Sequence, residues 1–134
     1  MKKYVFILSI TTLIFTVLSC TKDGYKTAEQ LKYKVEFETT DPSIDPDGTM
    51  TIYSNAFDTT MVKSIGSEAG SSGVYNWSDI VNWETSSGMK INPDNNTKAK
   101  LLVTFRGDVM ADIQGDFGEE VKFKKTYSKD EFKE

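Results

Sequence analysis

The chain has 134 residues, with 16 lysines and arginines, 20 aspartates and glutamates, one cysteine and no histidine. Without histidine, a Ser-His-Asp triad, a Cys-His pair and an HExxH zinc site are all excluded. One cysteine can neither close an intrachain disulfide nor supply a cysteine cluster for zinc. The composition argues against an enzyme, and we expect no catalytic residue, metal site or cofactor.

A targeting segment opens the chain. Lys2 and Lys3 precede an uncharged, apolar run over residues 4–19, which is typical of a secretory signal peptide. The run has 16 residues, whereas a membrane-spanning helix needs about 20. We therefore do not expect a permanent transmembrane anchor.

The apolar run ends in Val17-Leu18-Ser19-Cys20. This stretch resembles the lipobox of bacterial lipoproteins, in which an aliphatic, a variable and a small residue precede an acylated cysteine. The resemblance implies cleavage before Cys20 and attachment of fatty acids such as palmitate. It implies a location in the bacterial cell envelope of a Bacteroidota-like cell. We expect the outer membrane, although the sequence leaves both the membrane and its face open. An unlipidated, buried cysteine is the alternative.

Three parts follow from this interpretation. Residues 1–19 are the signal peptide, residues 20–30 a lipid-anchored polar tether, and residues 31–134 one domain. Loss of Lys2 and Lys3 leaves 14 basic against 20 acidic residues, a net charge of −6. An acidic domain without a basic stripe argues against nucleic acid and against electrostatic docking on anionic lipid. Membrane attachment is expected through the acyl chains.

Strand patterns fill the domain. Residues 31–39, LKYKVEFET, alternate apolar and charged side chains, which is the period of a half-buried strand. Segments rich in β-branched and aromatic residues follow, separated by turn-forming Asp, Asn, Pro and Gly. The predicted strands are 31–39, 49–55, 60–65, 74–85, 98–107, 109–115 and 121–127, with a flexible loop at 66–73 and an end at 128–134 that frays or forms one helical turn. Seven short strands predict an all-β fold, a single antiparallel β-sandwich of immunoglobulin-like type.

The order of these elements is similar to that of MmpS-like small β-sandwich domains. The similarity covers residues 33–127 and includes the opening strand YKVEFET, the tryptophan segment NWSDIVNW and the late hairpin KAKLLVTFRGDVMADI. MmpS proteins are similar to accessory subunits of resistance-nodulation-division exporters. The resemblance implies a non-enzymatic interaction or transport-accessory module of the envelope, with an envelope protein complex as partner. No functional residue of the MmpS family can be assigned to a position of this chain from the resemblance.

Three aromatic residues suggest an alternative function. Tyr75, Trp77 and Trp83 share one parity if residues 74–85 are extended throughout. Exposed rings of this kind stack on sugars, so a glycan- or small-ligand-binding surface lipoprotein is the alternative. Core packing explains the same parity, because aromatic side chains dominate protein cores.

Three further patterns have a chemical and a structural interpretation. Asp58-Thr59-Thr60 resembles the O-glycosylation site of exported Bacteroidota proteins, with Thr59 as the modified residue. The loop acids within 41–47 and 92–96 suit calcium as oxygen ligands, yet turn chemistry also favours these residues. The carboxylates within 108–120 are of the type used in glycoside hydrolysis, and a solvated acidic face is the alternative.

Overall fold

The all-β prediction is confirmed. The computed structural model describes residues 29–54, 59–82 and 85–132. Eight strands, one short α-helix and two 3-10 turns form within these ranges. They are β1 Glu29–Thr39, β2 Gly48–Ser54, β3 Thr59–Ser64, α1 Ile65–Ala69, a 3-10 turn Gly70–Ser72, β4 Val74–Val81, β5 Ser86–Pro93, β6 Thr97–Phe105, β7 Asp108–Gln114, β8 Val121–Thr126 and a 3-10 turn Lys129–Phe132.

Two four-stranded antiparallel sheets form the sandwich. The first sheet has the strand order β4-β1-β6-β7, and the second sheet has the order β3-β2-β5-β8. Only β2 with β3 and β6 with β7 are neighbours both in sequence and in space. At every other connection between consecutive strands the chain crosses from one sheet to the other. Strands that are far apart in the chain therefore become neighbours, as Leu31 on β1 and Phe105 on β6 do.

The core lies between the sheets because strand side chains alternate in direction. In β1, Leu31, Tyr33 and Val35 are buried, while the intervening charged residues are exposed. Met89 on β5 and Leu101 on β6 are fully buried in the same cluster. The alternation predicted for residues 31–39 therefore sets the inward face of β1, one of the two inner strands of the first sheet.

Eight strands lie within the described residues, where seven were predicted. The additional strand is β5, whose Gly88 and Pro93 are typical of turns. Met89 and Ile91 nevertheless point inward and are fully buried. Because β5 pairs with both β2 and β8, its ladder bonds and buried side chains outweigh the low strand propensity of its composition.

The prediction of a flexible loop at residues 66–73 is wrong. This segment contains four of the five residues of α1 and the whole 3-10 turn that follows it. Ser64 caps the helix, since its Oγ accepts a hydrogen bond from the Ser67 N–H at 3.4 Å. Ile65 and Ala69 are one helical turn apart and both are buried. A cap followed by an apolar pair at helical spacing explains the order of this segment.

An aromatic cluster packs where β6 and β8 end. The ring centroid of Phe105 lies 5.4 Å from that of Tyr127 and 5.9 Å from that of Phe132. Tyr127 and Phe132 meet edge to face at 6.0 Å, a favourable arrangement for aromatic rings. Phe132 belongs to the last 3-10 turn and is fully buried, so this turn is part of the core.

Candidate functional site

The residues predicted for ligand binding do not share one exposed surface. Tyr75 is 8% exposed and belongs to the core. Trp77 is half-buried, and its ring centroid lies 5.2 Å from that of Tyr33. Trp83 lies outside the described residues, as does the predicted lipidation residue Cys20. Among the described residues, the glycan alternative rests on Trp77 alone.

Thr59 occupies an accessible position. It is the first residue of β3, an edge strand of the second sheet, and pairs with Ser54 on β2. Thr59 is exposed, so a modifying enzyme can reach this position without unfolding the sheet. O-glycosylation of Thr59 stays a prediction.

The loop acids take part in turns. Asp41 Oδ1 accepts hydrogen bonds from the N–H and the hydroxyl of Ser43, both at 2.8 Å. These bonds hold the pKa of Asp41 below its ordinary value. Asp94 Oδ1 accepts a hydrogen bond from the Asn96 N–H at 3.1 Å. In the part of the chain that the structure describes, no group of three or more His, Cys, Asp or Glu side chains is placed to hold a metal ion.

Sequence reasoning missed a buried carboxylate. Asp79 on β4 is 1% exposed, and it shares the inward parity of Trp77. Its Oδ2 accepts a hydrogen bond from Ser87 Oγ at 2.6 Å, and its Oδ1 accepts one from Ser54 Oγ at 3.2 Å. The Ile80 N–H donates to the same Oδ1 at 3.0 Å. The signal was present in the sequence, because alternation along β4 places residue 79 inward.

Tyr33 extends this buried cluster. Ser87 has one hydroxyl hydrogen, which it donates to Asp79. Tyr33 Oη lies 2.8 Å from Ser87 Oγ, so Tyr33 is the donor in that bond. The hydrogen bonds run from β1 in the first sheet to β5 in the second and back to β4 in the first. The cluster thus connects the two sheets, and its bonds are structural.

Tyr127 lies beside this cluster without joining it. Its hydroxyl is buried and has no hydrogen-bond partner among the described residues. Burial, followed by the charges of Glu131 and Asp79, raises the pKa of Tyr127 to about 12. Burial also raises the pKa of Tyr33, although its bond to Ser87 acts in the opposite direction.

Replacing Tyr127 by phenylalanine is expected to leave the free energy of unfolding at pH 7 unchanged within about 0.5 kcal/mol, because no hydrogen bond is lost. The control Tyr33→Phe removes the donor to Ser87 and is expected to cost about 1 kcal/mol. Urea unfolding of both variants measures the difference. An equal loss of unfolding free energy in the two variants would contradict the conclusion that the Tyr127 hydroxyl has no hydrogen-bond partner.

The same Tyr127→Phe variant is expected to resist alkali better than the wild type. Tyrosine ionises at an ordinary pKa of 10.0, while the folded state holds the pKa of Tyr127 at about 12. The unfolded chain therefore loses this proton first, and stability that is complete below pH 10 falls as the pH rises towards 12. Urea unfolding across this range should show a shallower loss for the variant.

The outer face of the first sheet carries charges of both signs. Lys34 Nζ lies 3.0 Å from Glu36 Oε1, and Lys98 Nζ lies 3.3 Å from Glu38 Oε2. Solvent screening keeps exposed pairs of this kind weak, but they balance the charge of the face. A groove of about 270 Å³ on this sheet runs between β1, β4 and β6.

The outer face of the second sheet, called the lysine face below, differs in charge. Its outward side chains are Thr60, Val62 and Ser64 on β3, Thr49, Thr51 and Tyr53 on β2, Ser86, Lys90 and Asn92 on β5, and Lys122, Lys124 and Thr126 on β8. This set contains lysines and uncharged residues, and no carboxylate belongs to it.

Three lysines of the lysine face have no ion-pair partner among the described residues. Lys90 and Lys122 lie directly opposite each other on β5 and β8, and Lys124 follows on the same side of β8. The ion pairs of the described lysines involve other positions. Like charges directly opposite each other destabilise a sheet. The sequence showed no basic stripe, because these lysines come from strands that only the fold makes neighbours.

Tyr53 and Val62 accompany the lysines. Lys124 Nζ lies 4.7 Å from the Tyr53 ring centroid, in the range of a cation–π contact. Gly88 lies between Tyr53 and Lys124 in the sheet. A Cβ at position 88 would lie 2.6 Å from the Phe123 carbonyl oxygen, so a larger residue does not fit there without a shift of the backbone. Val62 is 71% exposed. The lysine face therefore combines positive charge, an amphipathic ring and an apolar side chain.

Among the described residues, no helix is both long enough and apolar enough to cross a membrane. No protein-family model matches the chain, and no curated protein or solved structure matches it significantly. The fold defines the molecule as an antiparallel β-sandwich.

Proposed function

We propose that the protein is a lipid-anchored lipoprotein of the bacterial cell envelope that acts as a non-enzymatic interaction or transport-accessory module. The observation that carries this proposal is the lipobox-like Val17-Leu18-Ser19-Cys20 at the end of an apolar run. Each buried methylene of an acyl chain contributes about 0.8 kcal/mol to membrane binding, so two or three chains on Cys20 give a stable anchor.

The link between the anchor and the sandwich is short. Eight residues, 21–28, separate Cys20 from Glu29, where β1 begins. Such a segment spans at most about 30 Å when fully extended. An anchored domain therefore stays at the membrane surface, and its partner has to meet it there.

The described domain offers surfaces for contact. Its buried carboxylate, Asp79, is occupied by hydrogen bonds from Ser54 and Ser87 and is 1% exposed. Both outer faces of the sandwich present strand residues to solvent. These features support binding through a face of the sandwich, and the resemblance to MmpS-like domains supports an envelope protein complex as the partner.

Replacing Cys20 by serine tests the anchor. We expect the wild type, expressed in its native cells with an alkyne fatty acid, to carry the label and to sediment with membranes. Cys20→Ser lacks the thiol that accepts the acyl group, so it should be unlabelled and should leave the membrane fraction. Ser19→Ala keeps a small residue before the cysteine and should behave as the wild type. A wild-type protein without label would contradict the anchor.

Cross-linking tests the interaction module. Mild cross-linking in native cells, followed by purification of the lipidated protein, is expected to recover the same envelope-complex subunits in repeated experiments. The matched Cys20→Ser protein should lose them, because it no longer resides at the membrane. Recovery of polysaccharide in place of protein would overturn the proposal of an interaction module and favour the glycan-binding alternative.

A further inference from the structure

We propose that the lysine face of the anchored protein lies against the anionic headgroups of the membrane that holds the anchor. This inference rests on the proposed lipid anchor at Cys20. It adds the orientation of the domain and the charge of the lipid that the second sheet contacts. It also reverses the expectation from net charge that the domain does not dock on anionic lipid.

Charge complementarity indicates an anionic partner. Lys90, Lys122 and Lys124 share the lysine face with no carboxylate, although the chain without residues 1–19 has a net charge of −6. An anionic surface therefore attracts this face and repels the acidic remainder, which orients the domain. Lysines close to an anionic membrane each add attraction, and this attraction falls off within a Debye length, about 8 Å at physiological salt.

The composition of the lysine face suits a headgroup layer. Threonine and serine hydroxyls occupy many positions around the lysines and can donate hydrogen bonds to phosphate oxygens. Tyr53 supplies an amphipathic ring, a residue type that is enriched at membrane–water interfaces. Val62, 71% exposed, supplies an apolar side chain at the same surface. Lipid headgroups offer contacts for all three kinds of side chain.

The length of the chain before β1 permits this orientation. β1 lies in the first sheet, and the two sheets of a sandwich pack about 10 Å apart. Residues 21–28 reach about 30 Å at full extension, which is enough to lead from a membrane beneath the second sheet to Glu29. The outer face of the first sheet then points away from the bilayer.

Lysine footprinting on the native lipidated protein tests the proposal. The protein is reconstituted in vesicles of phosphatidylcholine alone or with phosphatidylglycerol, floated, and treated with an amine-acylating reagent. We expect Lys90, Lys122 and Lys124 to react several-fold more slowly on the anionic vesicles, and high salt to remove this protection, since it screens exposed charges. Lys32, on the outer face of the first sheet, is the internal control and should react equally on both.

The outcomes separate the two proposals. A protein that does not float with either vesicle lacks the anchor, which overturns the proposed function. A protein that floats, but whose three lysines react equally on both vesicles, keeps its anchor and overturns the membrane-facing orientation. Protection that appears only after anionic envelope polysaccharide is added would assign the face to a glycan and would also overturn the proposal.

Charge variants give a second readout. The triple variant Lys90→Gln, Lys122→Gln and Lys124→Gln should still float, because the acyl chains remain. Compared with the same variant on phosphatidylcholine vesicles, its Tyr53 and Val62 should gain no protection from hydroxyl-radical labelling on anionic vesicles. A control with Lys32→Gln, Lys34→Gln and Lys100→Gln loses the same charge from the opposite face, and should keep both residues protected. Equal labelling of the two variants would overturn the proposal.

Discussion

Replacing Asp79 by alanine is expected to lower the free energy of unfolding by about 3 kcal/mol. The substitution removes the acceptor of both the Ser54 and the Ser87 hydroxyls, in a site where the carboxylate is 1% exposed. A buried donor without an acceptor costs about 1–3 kcal/mol, and the loss of the side chain leaves unfilled space. Urea unfolding at neutral pH measures the effect.

Two further variants separate the causes of this loss. Asp79→Asn keeps the shape of the side chain but places an amide donor beside the hydroxyl donors, so it should cost less than alanine. Asp112→Asn removes a carboxylate that is 55% exposed, and should stay within about 0.5 kcal/mol of the wild type. An Asp79→Ala protein as stable as Asp112→Asn would show that the buried cluster contributes nothing net.

Replacing Gly48 by alanine is expected to cost about 3 kcal/mol or more. Gly48 begins β2 with a φ of +127°, which side chains other than glycine rarely adopt. A Cβ there would lie 2.3 Å from the Asn92 carbonyl oxygen and 2.8 Å from the Pro93 Cα. These are backbone atoms of β5, so the β2–β5 pair has to separate to admit the methyl group.

Gly107→Ala is the matched control for this prediction. Gly107 also has a positive φ, +81°, but a Cβ there meets nothing within 4 Å. Only the backbone strain remains, about 1 kcal/mol. Thermal unfolding of both variants should rank Gly48→Ala well below Gly107→Ala. Equal melting temperatures would mean that the β2–β5 pair adapts without cost.

The parts of the fold that follow local alternation were predictable from the sequence. The alternation in residues 31–39 gives β1, and the pattern around Leu101 and Val103 gives β6. β5 was not predicted, since its pairing with two neighbouring strands outweighs a composition rich in turn-forming residues. A five-residue helix also escapes a search for long periodic segments.

The buried Asp79 cluster and the lysine face were less predictable than the strands. Asp79 occupies an inward position, where its carboxyl group accepts hydrogen bonds from Ser54 and Ser87, which come from other strands. The lysine face depends likewise on the register that sets Lys90 opposite Lys122. Neither arrangement is encoded in a short window of sequence, because each requires strand pairing across a long separation.

The repeated crossing of the chain between the sheets has a kinetic consequence. Only β2–β3 and β6–β7 can close as hairpins, and the pairs β1–β6 and β1–β4 join distant parts of the chain. Folds dominated by such distant pairings form slowly, in milliseconds to seconds. The first sheet cannot be completed until β7 has left the ribosome. The second sheet likewise waits for β8, so the sandwich assembles only after nearly all of the described chain has been made.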